Sequence, residues 1–505
     1  MEQSLCFDDV LISPRFSNIK SRKDVNLSID IGINGRHLIL KTPLISSPMD
    51  TVSMSLMCIK MAMYGGLGIL HRYQTIQSQV AELKKVKRYL QYIITTPYTI
   101  KPTTTLEEVG FLKKECKVST FCVIENNSLI GLLTNRDIEY RSITADTTLS
   151  INSLMTPKDK LKVIKMTPTD FSNIVNTKNQ ILLKELISNA KQLMILNKVE
   201  KIPIVDPEFH LLGLITYKNV KHFEDNSNLA CLDNSGMLAC GAAIGIVGDW
   251  VERLQQLVDV GVDCICIDVA SGHNENLGDA IDAIRKTYPN LVLIAGNVCT
   301  ADGFKYLAEK DVDAIRCGIG NGSSCITRGQ TGIGRGQLSS IMDCFNIKTK
   351  YKLPSHIISD GGSMNSTGNK AKAIIAGSSA IMLGRTLAAT EESPSIIIYK
   401  DGQKFKYTRG MASTSANISK MELCDGGLTN ETFKKHSEGV DGYTQLSGTV
   451  KDVVDTIVSG VKSSFSYIGC SSITEVHYLT EHKQIEFNMI TSLGMNETKT
   501  RLIKF

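Results

Sequence analysis

Eight short apolar runs, each closing on glycine or polar residues and mostly followed by a helical stretch, constrain this chain more than any other feature. They are Pro43–Ser47, Gly66–Leu70, Ala242–Ile246, Cys264–Asp268, Leu291–Asn297, Ala314–Gly320, His356–Gly362 and Ala380–Gly384. Successive runs mostly begin 22 to 27 residues apart, the length of one strand, one helix and two loops. Runs that are continuously apolar, rather than alternating, belong to strands covered on both faces, as in parallel α/β sheets. Eight such units predict a (β/α)8 TIM barrel more than an open doubly wound sheet. In that architecture the chemistry sits on loops after the carboxyl ends of the strands.

Those ends carry the unusual residues of the sequence. Ser46, Ser47 and Asp50 follow the first run, His71 and Arg72 the second, Asp268 closes the fourth and Asn297 the fifth. Cys325 follows the sixth in Gly322-Ser323-Ser324-Cys325-Ile326-Thr327-Arg328, Asp360-Gly361-Gly362 ends the seventh, and Gly384-Arg385 the eighth. A single Asp or Asn in such a loop is usually a turn former. Polar groups or glycines at seven strand ends in the same register point to a site. Among 14 cysteines, Cys325 alone lies in a polar, glycine-rich loop after a buried strand, the setting a nucleophilic thiol needs.

The series breaks between Leu70 and Ala242. Inside the gap, Leu129-Ile130-Gly131-Leu132-Leu133-Thr134-Asn135-Arg136-Asp137 returns 82 residues later as Leu211-Leu212-Gly213-Leu214-Ile215-Thr216-Tyr217-Lys218-Asn219. Each copy follows another short strand, Thr120 to Glu125 and Lys201 to Asp206. A duplicated strand-turn-strand-helix unit in a barrel loop reads as a separate domain. The expected organisation is barrel over 1–92, insert over 93–224, and barrel again over 225–505.

With 505 residues the chain is too long for one ordinary core, and 42% hydrophobic with 21% charged residues describes a soluble globular protein. No apolar run is long enough to span a membrane. The opening residues, with an early acid, lack the pattern of a signal peptide, so the expected compartment is the cytoplasm. Cysteines without regular spacing are then reduced thiols rather than disulfides or a zinc site. Net charge is only +5 and its basic residues are scattered, which speaks against nucleic acid as a partner. Lys84-Lys85 and Lys87-Arg88, on an amphipathic helix over Ser78 to Leu90, are expected to form a solvated outer face.

The insert repeat resembles a pair of CBS modules, which often bind adenine or guanine nucleotides. Thr134, Asp137 and Thr216 match the ligand-binding positions. The second copy has Asn219 in place of Asp, so nucleotide binding at that half and a structural insert stand as alternatives.

Barrel, insert and cysteine loop together resemble the IMP dehydrogenase and GMP reductase family. The likeness runs from Phe7-Asp8-Asp9-Val10-Leu11 through Pro48-Met49-Asp50-Thr51-Val52, Gly318 to Thr327 and Ser359-Asp360-Gly361-Gly362 to Arg409-Gly410-Met411. It implies attack of a cysteine on carbon 2 of a purine monophosphate, with hydride exchange to a nicotinamide. Cys325 matches the nucleophile, and Thr327 the threonine that pairs with a glutamate, assigned to Glu392, with neighbouring Glu391 keeping that choice open. Asp360 matches the ribose acceptor. Ser323, Gly362, Gly384 and Arg385 fit the phosphate cradle, with Gly410 and Met411 also on the substrate side. Asp268, Ala270, Gly318 and Gly320 match the cofactor side, and the carbonyls of Gly320, Gly322 and Cys325 a potassium site. The family associates as homotetramers, which CBS pairs can join into octamers.

The family's two activities part at the leaving group. A dehydrogenase oxidises IMP with NAD and must hydrolyse a covalent adduct, using an Arg-Tyr pair on a flap. The corresponding segment, about 410–442, contains no arginine after Arg409 and no tyrosine before Tyr443. A reductase converts GMP and NADPH to IMP and ammonia and needs no such pair. The expected activity is therefore GMP reductase, with IMP dehydrogenase as the alternative, in which Lys420, Lys434 or His436 would replace the missing base. A non-catalytic nucleotide sensor is the third reading.

Overall fold

The computed structural model describes residues 3–89, 92–116, 118, 120–142, 150–176, 180–226, 229–363, 366–424, 437–491 and 493–494. The chain separates into two compact units, one of Met1–Tyr89, Leu229–Asp233 and Leu238–Phe505, the other of Leu90–Asn228 with Asn234–Met237.

In the first unit all eight apolar runs are strands of a single parallel sheet: β1 (Leu44–Ser46), β2 (Gly68–Leu70), β3 (Cys240–Ile244), β4 (Cys264–Asp268), β5 (Val292–Val298), β6 (Ala314–Cys317), β7 (His356–Asp360) and β8 (Ala380–Leu383). From β2 to β8 each strand pairs with the next, and β8 pairs with β1. The ring closes where Ile45 bridges Leu67 in parallel, with Ser46 N–H donating to Leu67 O at 2.9 Å. This is a closed TIM barrel.

The continuous apolar pattern follows from that closure. Side chains such as Ile69, Cys264, Ile294, Ala314 and Ile358 fill the barrel interior, while Leu44, Ile381 and Leu383 face an outer layer of helices. Burying one leucine or isoleucine contributes roughly 2 kcal/mol. The outer layer includes α1 (Ser55–Met63), α2 (Ile76–Arg88), α3 (Trp250–Asp259), α4 (Glu275–Thr287), α5 (Ala301–Glu309), α6 (Gln337–Tyr351) and α7 (Thr367–Ile375). After β8 come a three-stranded antiparallel sheet, β9 (Ile397–Lys400), β10 (Gln403–Arg409) and β11 (Asp441–Gln445), and then α8 (Val450–Ile468). Thr449 and Asp452 start α8 with reciprocal capping bonds, and Gly469, at φ 72°, ends it in the left-handed conformation.

One expectation about α2 fails. Lys84, Lys85 and Arg88 are exposed, but Lys87 is only 3% exposed and its ammonium pairs with Asp263 at 2.5 Å and Asp233 at 3.0 Å. The helix turns a charged side chain inward because two carboxylates wait there to compensate it.

The second unit contains two small sheets. One holds the hairpin Thr120–Glu125/Ser128–Thr134, followed by a helix over Asn135–Ser142; the other holds Lys201–Val205/Leu211–Thr216, followed by a helix over Tyr217–Asn226. The sequence repeat is thus a repeat of structure. No described helix is long and apolar enough to cross a membrane.

Candidate active site

The carboxyl ends of the barrel strands surround a cavity of about 750 Å³. Its lining includes Ser323, Cys325, Asp360, Gly362, Gly384, Arg385, Gly410, Met411 and Asp268 from the sequence reading, joined by Arg316, Asn321 and Glu438.

Cys325 lies in the loop between β6 and the short helix Thr327–Thr331 and is half-buried. Its Sγ is 3.1 Å from Thr327 Oγ1, which donates to Glu438 Oε2 at 2.8 Å. Backbone pairing fixes that carboxylate: Ile326 N–H donates to Glu438 O at 2.8 Å, and Val440 N–H to Ser324 O at 2.9 Å. The chain thus returns before β11 as a short antiparallel bridge alongside the cysteine loop, where Cys325 faces Gly439. Of the other described cysteines, Cys6 is exposed, Cys299 is half-buried and the rest are buried. None is in a disulfide, and burial pushes the Cys231 and Cys266 thiols up to about 12.

The assignment of Glu392 as the partner of Thr327 is corrected by this geometry. Glu392 Oε2 accepts the backbone N–H of Val450 at 2.9 Å, so its carboxylate caps the N-terminus of α8, where unpaired N–H groups favour a negative charge. Glu391 is exposed, and its backbone N–H donates to Gly448 O. Glu438 occupies the place expected of either.

Arg316, on β6, ties the strand ends together. Its guanidinium donates to Asp360 Oδ2 at 2.9 Å through Nη2 and to Asp268 Oδ1 at 2.6 Å through Nη1. Arg316 Nε also donates to Asp360 Oδ2, at 3.2 Å, and Asn297 Nδ2 adds a third donor to that oxygen, at 2.8 Å, and reaches Gly318 O at 2.7 Å. Oδ2 is therefore used within the protein, and among the described residues no hydrogen bond engages Asp360 Oδ1. Burial alone would raise the Asp268 carboxyl, but Arg316 and Arg72 outweigh it and hold the group below the usual carboxylate range. Burial likewise opposes charge on Arg316, yet Asp360 and Asp268 keep it protonated far above ordinary pH.

The remaining site residues divide. Gly318 and Gly320 belong to the loop but do not line the cavity, and Ala270 is exposed outside it. Gly322 O accepts Cys325 N–H at 3.0 Å and keeps a second lone pair, so the carbonyls of Gly320, Gly322 and Cys325 are oxygen donors of the kind potassium takes. His71 is buried and neutral: burial lowers it to about 4, and Nδ1 accepts Tyr73 N–H at 3.2 Å. The start of the segment expected to form the flap is anchored by Arg409 Nε on Asp50 Oδ2 at 2.9 Å and by Tyr73 Oη donating to Met411 O at 3.0 Å. Lys434 and His436 lie outside the described residues.

In the second unit, Asp137 Oδ2 accepts both the N–H and the hydroxyl of Thr134, each at 2.7 Å. Asn219 Oδ1 does the same for Thr216, at 2.9 and 2.5 Å. The turns are alike, but beyond them Asp137 presents a second carboxylate oxygen where Asn219 presents an amide N–H2.

Comparison with known proteins places this geometry. The IMP dehydrogenase / GMP reductase domain matches residues 4–501. An inosine-5'-monophosphate dehydrogenase of Nitrosopumilus maritimus is 36% identical over 99% of this chain and 98% of its own. A GMP reductase of Leishmania major is 35% identical over 99% of this chain and 96% of its own. Among solved structures, a cysteine-to-alanine variant of GMP reductase from Trypanosoma brucei, in complex with guanosine 5'-monophosphate, superposes with a TM-score of 0.83 at 32% identity, covering 100% of this chain and 99% of that one. The same organism's GMP reductase in complex with guanosine 5'-triphosphate gives a TM-score of 0.74 at 29% identity, covering 97% of this chain and 99% of that one.

Proposed function

Because the chain belongs to the IMP dehydrogenase / GMP reductase family of oxidoreductases, we propose that it is a GMP reductase, converting GMP and NADPH to IMP and ammonia. The observation that carries this reading is the relay from Cys325 through Thr327 to Glu438, beside a flap whose sequence holds no Arg-Tyr pair.

In this reading the Cys325 sulfur adds to carbon 2 of GMP, and the relay of Thr327 and Glu438 delivers a proton to the departing amino nitrogen. The C–N bond breaks, ammonia leaves, and the purine stays joined to sulfur. When bound, a reduced nicotinamide supplies hydride to carbon 2. Cys325 then departs as thiolate, and IMP is released. Asp360 holds the ribose hydroxyls through Oδ1, while Ser323 and the N–H group at Gly384 cradle the phosphate, with Gly362 leaving room for its approach and Arg385 at its edge. Asp268 marks the cofactor side. Potassium would brace the Cys325 loop through the three carbonyls. In the insert, Asp137 is the position suited to a nucleotide ribose, and Asn219 is not.

IMP dehydrogenase is the second reading, supported by relatives of that name. It needs a water-activating base. Lys420, on the helix Thr414–Cys424, has its ammonium 5.9 Å from the Tyr73 ring centroid and is the described candidate.

The test is nicotinamide absorbance with purified protein in potassium buffer, comparing GMP plus NADPH with IMP plus NAD. Loss of absorbance with ammonia release supports the reductase. Growth of absorbance with xanthosine monophosphate overturns it in favour of the dehydrogenase. Absence of both reactions, and of any covalent mass shift on Cys325 with a reactive purine nucleotide, supports the sensor.

A further inference from the structure

We propose that Asn321 is a positioning residue that locks the Cys325 loop onto the strand end that holds the substrate. The inference rests on the reading of Cys325 as nucleophile and Asp360 as substrate acceptor, and deepens it.

Asn321 Nδ2 donates to Asp360 O at 2.9 Å and to Gln337 Oε1 at 2.5 Å, and its own carbonyl accepts Gly362 N–H at 3.2 Å. One residue of the cysteine loop therefore bonds to both ends of the Asp360–Gly362 turn and to the first residue of α6. Gln337 is 1% exposed, and its Nε2 donates to Cys317 O at 2.7 Å and Ser359 Oγ at 3.3 Å. Those bonds fix the orientation of its amide, so Oε1 faces Asn321 and needs a donor.

The surrounding glycines are cleared for this amide. A Cβ at Gly318, which has φ +138°, would lie 2.4 Å from Asp360 O and 2.7 Å from Asn321 Nδ2. One at Gly362, φ +74°, would lie 2.9 Å from Gln337 Cβ and 3.3 Å from Asn321 Nδ2. Aspartate has the shape of asparagine but offers only acceptors, and would set a carboxylate against two oxygens. Serine is too short to reach both.

Without Asn321 the substrate side stays in place, because Arg316 and Asn297 hold the Asp360 carboxylate independently. What is lost is the alignment of Cys325 with carbon 2. Misplacing a reacting group by about 1 Å costs up to about 100-fold.

The experiment compares the full-length protein with Asn321→Ala and Asn321→Asp. Both variants are expected to lose about 10- to 100-fold in kcat while KM for the purine monophosphate changes by less than about threefold. A kcat within about twofold of the parent, or a loss confined to KM, overturns the proposal. So does an Asn321→Asp variant that behaves like the parent. A second readout does not depend on turnover: the rate at which iodoacetamide alkylates Cys325, followed by peptide mass, with and without GMP at a concentration that saturates each protein. GMP should protect Cys325 in the parent and several-fold less in both variants; equal protection overturns the proposal. If the parent catalyses neither reaction, the functional reading fails and the alkylation ratios alone decide the role of Asn321.

Discussion

Thr327 donates a 2.8 Å hydrogen bond to Glu438, and the same hydroxyl lies 3.1 Å from the Cys325 sulfur. In the proposed reaction, a hydroxyl so placed can pass a proton between the carboxyl group and an atom leaving the carbon that sulfur attacks. Replacing Glu438 with glutamine keeps the size and one acceptor but removes the exchangeable acid. Glu438→Gln is expected to lower kcat by about 100- to 10,000-fold, the range of general acid–base catalysis, with nucleotide binding retained. Glu392→Gln is the control. It is expected to leave turnover near the parent's and to cost about 1 kcal/mol or less in stability, as loss of charge at a helix N-terminus does. Steady-state rates and thermal melts of the two variants separate the roles.

Cys325→Ala is expected to abolish turnover and leave nucleotide binding largely intact, because Asp360 and the glycine cradle do not depend on the sulfur. Calorimetric titration with GMP and mass spectrometry of the denatured protein check both halves. Substantial turnover by the pure variant would refute the covalent role.

The barrel was legible because its strands are buried on both faces, and a run such as Cys264-Ile265-Cys266-Ile267 has no other stable home. Cys325 and Asp360 stood out because they follow strand ends in the same register, and Thr327 came only from the family resemblance; the structure puts the first two on one cavity and the Thr327 hydroxyl beside the sulfur. Glu438 was not. It enters the site by returning from the flap and pairing with the cysteine loop, a contact that leaves no periodicity in sequence, while Glu391 and Glu392 stand conspicuously after β8. Arg316 carried a usable signal: a guanidinium within a continuously apolar run must find buried carboxylates, and the acids ending β4 and β7 supply them. Lys87 carried a different signal, its place four residues after Leu83 on the buried side of α2, and a reading of its helix as a solvated face passed over it.

Arg316 is 6% exposed and stands between two carboxylates, so removing it leaves both without their shared partner. Breaking a buried pair in this way costs roughly 3–5 kcal/mol. Arg316→Met is therefore expected to lower the denaturant midpoint sharply and to weaken nucleotide binding through a displaced Asp360. Arg316→Lys keeps one charge but cannot bridge both acids, and is expected to fall between the two. Chemical unfolding with and without GMP measures both effects.

Acid sensitivity follows from one buried histidine, His71, and two half-buried ones, His356 and His477. Burial lowers His71 to about 4, His356 to about 3 and His477 to about 4, and the Lys348 ammonium adds to the depression of the last two. Burial holds each neutral: His71 Nδ1 accepts from Tyr73 N–H, His356 Nδ1 lies 2.9 Å from Ser379 Oγ, and His477 Nε2 sits 3.1 Å from the carbonyls of both Ile374 and Ser378, acceptors that favour the protonated ring but do not outweigh its burial. An unfolded histidine titrates near 6.5, so the unfolded chain takes up protons first as pH falls. The stability these groups contribute is fully present above that pH and is lost as pH drops through 6.5 towards 4, at up to about 1.4 kcal/mol per pH unit for each. The thermal midpoint is expected to fall between pH 7 and pH 5 and to fall less steeply in His477→Gln, which keeps an N–H donor for the two carbonyls but cannot titrate. A midpoint that is flat across this range, or equally steep in the variant, would show that these imidazoles do not set the acid limit.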